Sequence, residues 1–557
     1  MTPIDWIIVF GYFMLLVWIV WWSARRTKTS EDYFLAGRNV GWAVVGASLF
    51  ASNIGSEHIV GLAGSGALNG MALAHWELHA WVMIVLGWVF VSFYYRSGVF
   101  TMPEFLERRF DARSRWILSI MSLVAYVFTK VSVTVYAGAL VFRTLLPDTF
   151  GTPDNAFWVG AFATVVLTGI YTIFGGLRAV VYTEVLQTVL LLMGSAFITM
   201  FGLSELGGWN EMRVIVGENA ERFALWRPIS DPNFPWLAIM IASPLAGIWY
   251  WCTDQYIVQR TLAARSLTDA RRGAIFGGFL KVWPVFIFLV PGMIGYALHE
   301  QGLLAIPVSA EGNLMGDMVF PTMVAELLPA GLRGLVVGGL LSALMSSLSS
   351  LFNSCATLFT MDIYEKLRPN ASETRLVGVG RIATGVVVGF GILWIPIMKV
   401  ISENNEGLYH YIQNMQSFLT PPIVAVFLLG IFFKRINGHG AFWGLVVGFG
   451  LGMLKLTLQT LVQSGVMGPT GMLGAIGTFN AYYFAGVLFL TSIVLIIALS
   501  YAKDADPLSK LKGLSRGTLT PEEKIEIRSS WGWFDVAGTV LVLGLVLCIY
   551  LYFSFWV

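Results

Sequence analysis

The sequence predicts an all-α protein that crosses a membrane about fourteen times, and three observations carry that reading. Of its 557 residues, 56% are hydrophobic and only 12% are charged, where soluble domains carry about 25% charged residues. Apolar runs of about 20 residues, the length that spans hydrocarbon as a helix, recur from end to end. One apolar region contains Trp249-Tyr250-Trp251-Cys252-Thr253-Asp254-Gln255-Tyr256, which puts rings, a carboxylate and an amide at membrane depth. Such groups are expensive against lipid, so they face a protein interior or a wet cavity and mark a pathway. No catalytic constellation accompanies them, and the chain reads as a carrier and not an enzyme.

The first span, 4–23, follows Met1-Thr2-Pro3 without a basic stretch or a small-residue cleavage site, so it is read as a retained helix. The second, 41–68, carries Ser52-Asn53-Ile54-Gly55-Ser56-Glu57-His58 at its midpoint. Glycine and small polar residues there predict a helix that unwinds and frees carbonyls for a cation; a continuous, polar-lined helix is the plainer alternative. Spans follow at 73–96, 117–145, 156–174, 178–204, 236–260 and 273–299. The ninth, 318–364, holds Ser346-Ser347-Leu348-Ser349-Ser350, with hydroxyls at i, i+3 and i+4 on one face. Oxygen donors without a full carboxylate cage suit a weakly held monovalent cation; back-bonding of each serine to its own helix is the competing explanation. The remaining spans are 376–400, 405–433, 439–463, 480–502 and 532–556. Two soluble excursions separate them, 205–235 and 503–531, and in the second Thr520-Pro521-Glu522-Glu523 has the form of a capped helix start. Small-residue rows such as Gly61, Gly64, Ser65 and Gly66 permit close helix approach.

The net charge of +2 is spread through short loops, which argues against nucleic acid as a partner. Cys252, Cys355 and Cys548 all lie in apolar segments and read as buried small side chains, not as a disulfide framework or a metal site. Arg25, Arg26 and Lys28 follow the first span, and alternate loops after it are basic in turn: Arg96 to Arg115, Arg260 to Arg272, Lys366 to Arg381, and Lys434-Arg435. The positive-inside rule then places the amino terminus outside a plasma (cytoplasmic) membrane, with Val557 outside as well.

Several blocks together resemble one family. They are Glu31-Asp32-Tyr33-Phe34-Leu35-Ala36-Gly37-Arg38, Ser52 to Ala63, Gly175-Gly176-Leu177-Arg178-Ala179-Val180, Trp249 to Leu262, Ser346 to Tyr364, and Tyr411-Ile412-Gln413 through Pro421-Pro422 to Lys434-Arg435. In order and spacing the chain is similar to the solute:sodium symporters, and within them to the sodium/glucose cotransporter branch. The resemblance implies a LeuT-like core of two inverted repeats of five helices with discontinuous members. It divides the chain into an extra helix and cytoplasmic loop (1–40), a first repeat (41–204), an extracellular loop (205–235) and a second repeat (236–433). Two peripheral helices (434–502), a cytoplasmic loop (503–531) and a last helix (532–557) complete it.

The resemblance also implies ligands. Sodium, the coupling ion, falls on backbone oxygens of Ala51, Ile54 and Ala343 and the hydroxyls of Ser346 and Ser347. No organic cofactor is implied. Sugar contacts fall on Asn53, His58, Glu77, Tyr250, Trp251, Lys281 and Gln413, a set of donors, acceptors and stacking rings that matches the hydroxyls and C–H face of a hexose. A gate falls on Leu62, Trp76, Tyr409 and Tyr250. The expectation is a sodium-coupled importer of glucose or galactose working by alternating access, its partners being the sugar, sodium and the bilayer, with oligomeric state open.

Three departures bear on detail. His58 and Ala80 follow the animal rather than the bacterial pattern, which favours glucose beside galactose; Trp76 is larger than the usual lid residue; and Glu184 stands where members that couple two ions carry aspartate, leaving a second sodium site at Glu184, Ser349 and Ser350 open. Glu77 and Lys281 have a plainer reading as a pair, with each other or with Lys130, a mid-span charge for which the sequence offers no partner. Other functions compete too: a myo-inositol or other polyol carrier, a glucose-gated sodium sensor, which the intact Gln413 argues against, and a metal carrier using His75, His79 and His58.

Overall fold

A computed structural model describes residues 1–26, 29–55, 57–147, 149–308, 312–402 and 408–557, so Lys28 and Ser56 lie outside the described residues. Among those described the chain is helical throughout, with two isolated bridges, Val40 to Ala264 and Val308 to Leu314, and no strand. Eleven helical stretches are long and apolar enough to cross a membrane. Two of them turn back on themselves. Pro153–Leu206, of 54 residues, would run about 80 Å as one helix, against a hydrocarbon core of about 30 Å; the chain turns at Gly176, where φ is +56° and ψ −160°. A side chain there would collide with the Tyr33 carbonyl, 2.6 Å away. Glu57–Ser97 turns at Gly70, where φ is +59°. With these turns, and the crossing made by residues 112–145, the described residues form fourteen crossings.

Burial sorts the crossings into a core and a rim. Leu332–Leu367 and Leu267–Glu300 are mostly buried in their apolar parts, whereas Pro3–Ala24 and Trp533–Ser554 are mostly turned outward. The rim helices turn Ile, Leu, Val and Trp side chains outward, the surface expected of a protein solvated by lipid.

Two core helices break partway along their length. Trp42–Asn53 ends at Ile54, which is extended (φ −85°, ψ 97°), and helix resumes at Glu57. The chain leaves the Ile248–Thr253 turn at Asp254 (φ −79°, ψ 127°), whose carboxylate accepts from the Tyr256 amide at 3.4 Å as Gln255–Leu262 begins. The first break is the unwinding that the glycine and small polar residues predict.

One span differs from its prediction. Residues 318–364 are not a single helix: Val319–Leu327 stops before Leu332–Thr357 starts. Pro329 and Gly331 (φ +89°) make the interruption, and the Asp5 carboxylate from the first helix accepts from the Gly331 and Gly334 amides at 2.7 and 2.9 Å. A carboxylate on those amides satisfies orphan donors at a helix start. The capped start at Thr520 is present, with Thr520 Oγ1 accepting from the Glu523 amide and Glu523 Oε2 from the Thr520 amide.

At one end of the core Arg115 clasps the tail of the serine-bearing helix. It donates to Asp362 Oδ1 at 2.6 Å, to the Met361 carbonyl at 2.8 Å and to Glu107. Asp362 is fully buried and also accepts from Thr101 at 2.7 Å. Removing one member of such a buried pair typically costs about 3–5 kcal/mol. Arg115→Ala is therefore expected to lower the thermal unfolding temperature of the detergent-solubilised protein by several degrees; an unchanged melting curve would refute this role.

Candidate functional site

The two helix breaks face each other across a cavity lined by Asn53, Glu57, Tyr250, Trp251 and Tyr256. Glu77 organises its polar wall. Lys281 Nζ donates to Glu77 Oε2 at 2.6 Å and to Asn53 Oδ1 at 2.7 Å, and the Tyr409 hydroxyl donates to Glu77 Oε1 at 2.5 Å. His58 Nε2 lies 3.5 Å from the same oxygen. Asn53 turns its amide to the Tyr250 hydroxyl at 3.3 Å, so the wall runs from Tyr409 to the second broken helix without interruption. Trp251 is buried beside Lys281, whose ammonium stands 5.8 Å from the ring centre. Gln413 presents a buried Oε1 without a partner among the described residues.

All seven residues that the resemblance assigns to sugar contact thus line one cavity. The plainer pairing of Glu77 with Lys281 also holds, and both side chains remain at the cavity surface. Of the gate positions, Trp76, Tyr409 and Tyr250 line the cavity, and Trp76 packs against Tyr482 at 5.1 Å between ring centres. Leu62 is fully buried in the adjoining hydrophobic core.

Lys130 has a partner after all. Its ammonium meets Asp254 Oδ2 at 2.8 Å, inside a cage of Tyr126, Trp249, Tyr250 and Tyr256 rings with centres 4.7–5.1 Å away. The contact and the rings hold Lys130 against the second break.

The first break leaves carbonyls at the end of Trp42–Asn53 that the helix itself does not use. Side chains from other helices take them: Ser346 Oγ donates to the Ala51 carbonyl at 3.0 Å, and the Tyr256 hydroxyl donates to that of Ser52. Ser347 Oγ is buried without a partner among the described residues. Ala343 and Ile54 are buried at the same junction. Of the four serines, Ser349 does bond back to its own helix, at Ser346 O, 2.9 Å away.

Glu184 sits in a neighbouring nest. Its carboxylate accepts from Ser48, from Ser52 at 2.7 Å and from Ser350 at 2.5 Å, with the Ser346 hydroxyl and Arg260 each 3.4 Å away. Ser350 joins it, whereas the Ser349 hydroxyl is given to the Ser346 carbonyl. Ser48, Ser52 and Arg260 were not singled out in the sequence as neighbours of Glu184; the only local sign was an arginine and two serines at i, i+4 within apolar stretches. The histidines of the metal-carrier alternative are spent separately. His75 reaches Tyr550 and the Leu225 carbonyl, each at 3.1 Å, and His79 reaches Ser243 at 2.9 Å.

The sodium:solute symporter family profile matches residues 33–448. Sodium/glucose cotransporter 1 of Oryctolagus cuniculus is 41% identical over 520 residues, 88% of this chain and 77% of that protein. Sodium/glucose cotransporter 4 of Danio rerio is 38% identical over 558 residues, 95% of this chain and 83% of its own length. Among solved structures, a substrate-bound, outward-open Na+-coupled sialic acid symporter superposes with a TM-score of 0.76 at 22% identity, over 91% of this chain and 99% of that one. A closed nucleobase-cation-symport-1 family transporter gives 0.51 at 13% identity, over 89% and 97%. These neighbours establish the LeuT-like fold with its discontinuous helices.

Proposed function

The chain belongs to the sodium:solute symporter family, a family of transporters and not enzymes, and we propose that it imports a hexose, glucose or galactose, together with sodium by alternating access. One observation carries the choice of cargo. The cavity between the breaks is walled by a connected set of donors and acceptors, Tyr409, Glu77, Lys281, Asn53 and Tyr250, with the unpartnered Gln413 oxygen in the same cavity. A polyol satisfies such a wall, while an apolar solute leaves each group unpaired at about 1–3 kcal/mol. The names of the relatives point the same way.

In this reading sodium is held where the first break meets the serine helix, by Ala51, Ile54, Ala343, Ser346 and Ser347. The close approach of Ser346 to the Ala51 carbonyl supports it, since the same atoms would face the ion. Binding there draws the two helices together and biases the sugar-competent state, which is all that coupling requires. A second ion at Glu184, Ser349 and Ser350 has less support, because Arg260 already faces the carboxylate and the Ser349 hydroxyl is engaged by Ser346. A charge-to-sugar ratio of one or two decides it. The breaks at Ile54 and Asp254 open the proposed repeats 41–204 and 236–433 at corresponding places, and the basic loops favour a plasma membrane with the amino terminus outside.

Uptake of labelled glucose, galactose and myo-inositol into proteoliposomes, with sodium flux measured in parallel, tests the proposal. Sodium-dependent hexose accumulation is the expected result. Preferential myo-inositol uptake would reassign the cargo, and sugar-triggered sodium flux without uptake would make the protein a sensor. Gln413→Glu is expected to weaken sugar uptake about tenfold or more while leaving folding intact, because a buried carboxylate replaces an amide that both donates and accepts; unchanged sugar kinetics would remove Gln413 from the site.

A further inference from the structure

Among the described residues, the buried charges around the two breaks do not balance. Lys281 has Glu77 at 2.6 Å, Lys130 has Asp254 at 2.8 Å and Arg260 has Glu184 at 3.4 Å. His58 stands beside Glu77 as well, at 3.5 Å. Glu57, at the point where helix resumes after the first break, is the carboxylate these pairs leave over. Its Oε2 is buried and has no hydrogen-bond partner among the described residues.

The place where that oxygen points is shared. Ser347 Oγ, whose residue is 1% exposed, likewise has no partner among the described residues. Both oxygens lie within 2.6 Å of one point, the position that a Cβ on Gly55 would take. Without a Cβ, Gly55 lets both oxygens close on the same stretch of backbone, near enough to each other to share one cation. A buried carboxylate oxygen and a buried hydroxyl brought together without partners among the described residues are a poor arrangement for stability alone, because each forfeits its solvation. They are a good arrangement for a cation. Glu57 also lines the central cavity alongside Asn53, His58 and Tyr250, so one side chain borders both the break and the cargo space.

We infer that Glu57 is a ligand of the coupling cation, supplying the negative charge that hydroxyls and carbonyls lack, and that it ties ion binding to cargo binding by facing both. This rests on the reading of Ser347 as a sodium ligand. With the ion bound, each of these described charges has a partner. The ion also fixes how the carboxylate is presented to the cavity, so cation and sugar each raise the other's affinity, as linkage requires.

The test uses full-length protein purified in detergent and in proteoliposomes. Binding of 22Na+ and sodium-dependent glucose uptake are measured for wild type, Glu57→Gln, Glu57→Asp and Ser347→Ala. Glu57→Gln keeps shape and removes charge, so the sodium concentration for half-saturation is expected to rise about tenfold or more, with sugar uptake partly restored at saturating sodium. Glu57→Asp keeps the charge but shortens the reach, and an intermediate shift is expected; it also serves as the variant of record should Glu57→Gln fail to fold. Half-saturation within about twofold of wild type in the glutamate variants, with Ser347→Ala shifted, overturns the role of Glu57 and leaves the sodium site standing. Absence of saturable sodium binding in the wild type overturns the sodium reading of Ser347 and this inference with it.

Discussion

Lys281→Met is expected to abolish sugar uptake and to destabilise the protein, and the two losses separate in a double variant. The Lys281 ammonium touches Glu77 at 2.6 Å and Asn53 at 2.7 Å, and it is 1% exposed. Removing it leaves the Glu77 carboxylate buried beside Tyr409 and His58 without a permanent cation. Stranding one member of a buried pair costs about 3–5 kcal/mol, whereas replacing both members by apolar groups of similar volume is often neutral. Lys281→Met with Glu77→Leu should therefore recover the thermal stability and expression that the single change loses. Transport should not recover, because the double variant has no charged donor or acceptor at that wall of the cavity. Melting curves and uptake on the same preparations check both arms. Transport restored in the double variant would make the pair a structural strut and would move the sugar site elsewhere in the cavity.

That experiment addresses what the sequence leaves unread. Features written in neighbouring residues were legible: the unwinding around Asn53 and Gly55, the turn at Gly175-Gly176, the cap at Thr520. Each depends on backbone freedom or on a side chain reaching a few residues along. The interruption at Pro329 and Gly331 was equally local and yet escaped a reading by hydropathy, because the flanking residues stay apolar through the turn. Pairings were not legible. Lys130 and Asp254 are 124 residues apart, and Glu184 and Arg260 are 76 apart; nothing near either member names the other. The break at Asp254 belongs with these, since a carboxylate at mid-membrane is tolerable only with the ammonium that meets it. Ser346, Ser347 and Ser349 have the same local sequence character, yet one reaches a carbonyl on another helix, one has no partner among the described residues and one bonds back to its own helix. Only the packing of Leu332–Thr357 against the first broken helix separates them.

Gly55→Ala is expected to eliminate sodium dependence without altering any charge. Gly55 is not among the glycines with positive φ, so alanine meets no backbone strain there. What changes is space: the new Cβ would stand 2.6 Å from Ser347 Oγ and closer still to the Glu57 carboxylate. A methyl there pushes both oxygens off the positions from which they would share a cation. The Glu77, Lys281 and Asn53 wall lies on the cavity side of the break, so sugar protection of Lys281 from chemical modification should persist at high sugar concentration. Sodium titration of uptake and of 22Na+ binding should be flat. The contrast with Glu57→Gln is informative, since that variant weakens the ion through lost charge and is rescued by more sodium, whereas a methyl group in the site is not rescued at any concentration. Sodium-dependent uptake of ordinary affinity in Gly55→Ala would mean that the ion binds away from the first break, and the assignment of Ser347 and Glu57 would fall together.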